Sequence, residues 1–133
     1  MASSKPILIE VGSGELIDKI TILTIKSERM TDAGKLKNVR YELDVLSAGR
    51  DANLEDSGEL QKLTVALKEV NEALWEIEDD IRQCERDKDF GEKFVALARA
   101  VYVTNDKRAA LKKDINLLTG AQVIEEKSYT EFK

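Results

Sequence analysis

A chain of 133 residues, 42% of them hydrophobic and 35% charged, is the size of one domain with a buried core, and its charge fraction suits long solvated helices. A net charge of −5 excludes a general nucleic-acid binder, whose phosphate contacts need a basic face, and no apolar run approaches the ~18 residues of a membrane span. The absence of histidine excludes the serine- and cysteine-histidine catalytic sets, the common zinc sites and the di-iron helical bundles, while Cys84, the only cysteine, permits no intrachain disulfide and suits a reducing, cytoplasmic setting.

Met1 to Lys5 lack the apolar core of a signal peptide. Pro6 is the only proline, so nothing after it forbids long helices. Residues 7–11 are a short β-branched run with Gly12 behind it, a candidate strand. Ser13 reads as a helix N-cap with Glu15 in the first turn, and Leu16, Ile20, Leu23, Ser27 and Met30 recur at four-three spacing, which predicts a helix over 14–30. Asp32 to Gly34 break it. Leu36, Val39, Leu43 and Leu46 predict a second helix over 35–48, ending near Gly49, followed by a polar loop.

The strongest pattern comes next. Asp56 and Glu59 have capping-box spacing, and Leu60, Leu63, Leu67, Val70, Leu74, Ile77, Ile81 and Cys84 alternate three-four across a helix predicted over 57–87. Asp89 with Glu92 marks a further N-cap. Phe94, Leu97, Val101, Thr104, Arg108, Leu111, Ile115 and Leu118 repeat the spacing over 90–119, and Gly120 stops it. Folded at residue 89, the two seams pair with a constant index sum, Ile77 against Val101 and Val70 against Arg108 among them. This predicts a long antiparallel hairpin in coiled-coil register, with arms of about 45 Å. Val123 and Ile124 could form a second short strand beside 7–11, and 125–133 reads as a loose tail.

Arg108 is a cation on an apolar seam and requires a partner, because an unpaired buried charge costs several kcal/mol. No acid lies opposite it, which leaves Asp18 or Glu28 of the first helix. Around it the spacing gathers Asn71, Trp75, Glu78 and Arg82 on one stripe, Asn105 beside Arg108, and Arg99 across from Glu78 with Tyr102 one turn on. Asn71, Trp75, Glu78, Arg99, Tyr102, Asn105 and Arg108 are therefore the candidate ligand-binding residues. The competing reading, which the pattern favours, is a buried polar network that fixes helix register. Gly12-Ser13-Gly14 could cradle an anion, but reads first as a turn and cap. Cys84 reads as a small buried hydrophobe. Glu69, Glu72, Glu76 and Asp79 have the i, i+3 spacing that can share a magnesium, and resemble the helical nucleoside-triphosphate pyrophosphohydrolases. Those enzymes take their acidic pairs from different helices; here both pairs lie on one, which favours a solvated face.

Four stretches together, residues 14–23, 70–79, 98–108 and 125–129, resemble an uncharacterised family of bacterial and marine-phage proteins, a domain of unknown function, over about residues 7 to 129. The resemblance implies a place beside glycosyltransferase or tetratricopeptide-repeat proteins, near surface-polysaccharide assembly. It implies no catalytic residues.

These readings define one all-α domain over 1–133, a long hairpin with two shorter helices and a two-stranded patch from the termini as its only β-structure. The leading function is a non-enzymatic interaction or scaffold protein, accessory to glycosyl transfer. A small-ligand site around Trp75, Glu78, Arg99 and Arg108 comes second and a magnesium-dependent nucleotide hydrolase third; whether the protein is an enzyme stays open. No cofactor and no metal site is implied. The expected partners are a second copy and a glycosyltransferase-pathway protein, with no nucleic acid and no membrane. The dimer follows from the short helices, which leave Ile22, Ile25, Val65 and Val95 partly in water.

Overall fold

The computed structural model describes residues 4–132, in the element order α1 (Ser13–Arg29), α2 (Ala33–Asn53), α3 (Gly58–Arg86) and α4 (Glu92–Thr119). The fold is all-helical, with no strand among the described residues.

α3 and α4 form the antiparallel hairpin. The turn between them is a Schellman closure, in which Asp89 N–H reaches the Cys84 carbonyl at 2.9 Å and Lys88 N–H that of Glu85 at 3.2 Å. Lys88 takes the left-handed conformation usually left to glycine (φ 56°). Gly120 (φ 69°) closes α4 in the same way, with Ala121 N–H on the Asn116 carbonyl. Along the seam Leu60, Leu67, Cys84 and Ile115 are buried and most of the remaining positions half-buried, while Leu118 is exposed.

α1 is the centre of the molecule and packs against the other three helices. The stripe read at Leu16, Ile20 and Leu23 is therefore only part of its buried surface. Ile17, Asp18, Thr21 and Ile25 are buried as well, as expected of a helix enclosed on several sides. Ile17 and Ile20 join Leu60, Leu67 and Ile115 in the core, at the open end of the hairpin, with Leu43, Leu46 and Leu54 packed around it. Each such buried aliphatic side chain contributes about 1.5–3 kcal/mol. Ile25 is thus inside, contrary to its reading as partly wet, whereas Val65 and Val95 are exposed.

Helix boundaries differ from the sequence reading where caps were misassigned. Gly12, not Ser13, is the N-cap of α1; Ser57, not Asp56, caps α3 by accepting Leu60 N–H at 3.1 Å; and Asp32 caps α2 by accepting Lys35 N–H at 2.9 Å. α2 continues through Gly49 to Asn53, because a helix with open space around its glycine has no steric reason to stop there. The patch expected from 7–11 and 123–124 does not form as strands. Val123 lies against Gly12, beyond the end of the apolar run, and the chain after it turns back along α4.

Candidate functional site

The site is built on Asp18, which α1 presents to both arms of the hairpin at 1% exposure. Its Oδ1 accepts Arg108 Nε and Asn71 Nδ2, each at 2.9 Å, and its Oδ2 accepts Arg108 Nη2. Asn71 donates also to Thr21 Oγ1 at 2.9 Å, and the Thr21 hydroxyl donates to the Asp18 carbonyl at 2.7 Å. The hydrogen bond to Asp18 raises the Arg108 pKa against the opposing effect of burial, so the guanidinium stays charged. The fork-on-carboxylate geometry is the strong form of this pair. Among the described residues no buried side-chain nitrogen or oxygen lacks a hydrogen-bond partner. Glu28, the other candidate partner for Arg108, pairs with Lys68 at 3.0 Å instead.

Beside this network a groove of about 460 Å³ opens between α1, α3 and α4. Ile22, Ile25, Leu74 and Trp75 give it apolar surface, Asn71, Asn105 and Arg108 its polar inner end, and Lys26, Glu78, Asp79 and Arg82 its charged rim. Five sequence-predicted residues, Asn71, Trp75, Glu78, Asn105 and Arg108, therefore share one surface. Arg99 and Tyr102 do not line it. Stepping back in threes from Arg108 drifts about 60° per step around a helix of 100° per residue, so position 99 falls on the opposite face of α4. Arg99 is exposed, Tyr102 packs edge-on against Phe132 with ring centroids 5.1 Å apart, and Glu78 bonds to Arg82 of its own helix at 3.2 Å.

Arg29, which is not among the candidate ligand-binding residues, backs the indole. Its guanidinium carbon lies 5.9 Å from the Trp75 ring centroid, yet Arg29 is not part of the groove lining. Glu76 hydrogen-bonds it, raising its pKa, and Glu72 lies 3.8 Å away. Two of the four acidic residues, Glu72 and Glu76, thus serve Arg29. Among the described residues no three acidic or thiol side chains converge as a metal site.

A second polar node closes the other end of α1. Asn116 of α4 accepts Gly14 N–H at 2.7 Å, doing for α1 what a local N-cap side chain would do, and Ser13 bonds to the hydroxyl of Thr119. A Cβ on Gly14 would stand 2.2 Å from the Lys112 carbonyl oxygen, and one on Gly12 2.4 Å from that of Val123. Gly12-Ser13-Gly14 is therefore a close-packing device against α4, not an anion cradle. Lys112 bonds to Glu15 at 2.7 Å and Glu125 at 3.2 Å, and Lys113 lies 3.8 Å from Glu126. These pairs, with Phe132 on Tyr102, tie the segment read as a loose tail along α4. Burial lowers the Lys112 pKa, but the bonds to Glu15 and Glu125 outweigh it and the net shift is upward. Asn116 was missed because its partner lies 102 residues away; the only signal was an amide beside Ile115 facing a helix start with two glycines.

The chain belongs to DUF6165, a family of unknown function that matches residues 7–132. No curated protein and no solved structure matches it. No helix among the described residues is long and apolar enough to cross a membrane.

Proposed function

We propose that the protein works by binding rather than by catalysis, and that its recognition site is the groove beside Trp75. The observation that carries this reading is the gathering of Asn71, Trp75, Glu78, Asn105 and Arg108 around one ligand-sized opening. The non-catalytic half rests on the buried network, whose Asp18 and Arg108 satisfy each other and leave neither a free base nor a free acid. On the rim Lys26 and Arg82 balance Glu78 and Asp79, so the groove suits a neutral ligand. An indole with amides and carboxylates beside it offers an apolar ring face and hydrogen bonds at its edge, a combination that fits a saccharide. An accessory role beside a glycosyltransferase, in a cytoplasmic setting, is consistent with that chemistry.

Thermal stabilisation by ligand tests the reading, because anything that binds the folded state raises Tm. Within a panel of neutral mono- and oligosaccharides, at least one is expected to raise the Tm of the wild type and not that of Trp75→Ala. A panel with no effect on the wild type, or with equal effects on both proteins, contradicts it.

A further inference from the structure

Among the described residues one apolar stretch is largely exposed. Ile7, Leu8 and Ile9 are 90%, 90% and 75% exposed, and Val11 is 41% exposed. Among the described residues no backbone hydrogen bond involves residues 7–11. The arm begins at Pro6 and is anchored at Gly12, which packs against Val123. It therefore presents free N–H and C=O groups together with contiguous aliphatic surface, a combination that can pair with another strand.

We infer that residues 7–11 form an antiparallel ribbon with the same residues of a second copy, and that this arm is the dimer contact of the protein. The sequence of the arm is self-complementary about Ile9. In that register Ile9 meets its own copy, Ile7 meets Val11, and Leu8 meets Glu10, so no two glutamates stand opposite each other. Ile7, Ile9 and Val11 share one face, which is aliphatic throughout. With Ile9 in a hydrogen-bonded pair, Ile7 and Val11 are hydrogen-bonded as well. Pro6 then falls opposite Gly12 at a non-hydrogen-bonded position, where its missing N–H breaks no ladder bond. A two-stranded ribbon alone is marginal in water and needs something to lie on. Each copy supplies this at the foot of its arm, where a groove of about 450 Å³ is lined by Val11, Leu16, Leu54 and Val123 among others. Two-fold symmetry brings both grooves to the same ribbon.

Light scattering at high micromolar concentration tests the inference on the wild type, Ile9→Lys and Ile9→Pro. Lysine sets two like charges against each other on the axis, and proline removes the central N–H. Residue 9 is exposed in the single chain, so both variants are expected to keep the wild-type helical circular dichroism. The expected result is a wild-type mass twice the 14.9 kDa of one chain, and 14.9 kDa for each variant. Amide exchange at Ile7, Ile9 and Val11 should also slow as the wild type is concentrated. A wild type that stays at 14.9 kDa overturns the inference, and so does a wild-type dimer that both variants retain.

Discussion

Arg108 and Asp18 are joined by two parallel hydrogen bonds, yet they differ in where they can go when parted: the Arg108 side chain is 30% exposed and that of Asp18 only 1%. Arg108→Ala leaves the buried Asp18 carboxylate without its cation, held only by the Asn71 amide, and is expected to cost about 3–5 kcal/mol. Asp18→Ala leaves a guanidinium that can turn outward along its aliphatic stem, while Asn71 keeps its bond to Thr21, so its cost should be nearer 1–3 kcal/mol. Urea denaturation followed by circular dichroism measures both. Equal losses, or a loss below about half a kcal/mol for Arg108→Ala, contradict the buried-pair account.

The glycines give a second contrast. Gly14→Ala drives a methyl into the backbone of Lys112, which cannot yield without moving α4, and is expected to lower stability by about 3 kcal/mol or more. Gly49→Ala sits inside α2 with nothing near its Cβ and is expected to raise stability by about 0.5–1 kcal/mol. Lys88→Gly should also stabilise, by relieving a left-handed non-glycine residue. Thermal melts of the three variants check the signs, and a neutral Gly14→Ala would contradict the close packing of α1 on α4.

Lys112 sets an alkaline limit. Its pKa in the folded chain is raised by Glu15 and Glu125 over the opposing pull of burial, so the folded state holds its proton more tightly than the unfolded state does. The resulting stabilisation is complete below the ordinary lysine value of about 10.4 and is lost as pH rises through the higher folded value. The stability gap between wild type and Lys112→Met should therefore be constant near neutral pH and shrink above the lysine range. A gap that stays level through that range means the amine contributes by packing alone.

Much of the fold was legible because the two hairpin arms carry one phase, Leu60 to Cys84 and Phe94 to Leu118. The partner of Arg108 was legible to within two residues, since a cation on an apolar seam requires an acid and α1 offers Asp18 and Glu28; the structure pairs it with Asp18 and gives Glu28 to Lys68. What could not be read depended on tertiary placement. The stripe of α1 looked one-sided because nothing in its spacing says that three helices surround it. Asn116 caps a helix start 102 residues away, which no local pattern records. Arg99 and Tyr102 were placed by setting Arg99 across from Glu78 in the hairpin register, which does not fix the face of α4 each side chain takes, and neither lines the groove that Asn71, Trp75, Glu78, Asn105 and Arg108 share.

The central claim, a recognition groove at Trp75, can be read from a single nucleus. Trp75 is the only tryptophan, so a proton–nitrogen correlation spectrum holds one indole N–H resonance. On titration with a saccharide that raises Tm, this resonance and the side-chain amides of Asn71 and Asn105 are expected to shift together along one saturable curve. Shifts that leave all three unmoved and cluster on another face of the molecule would contradict the claim.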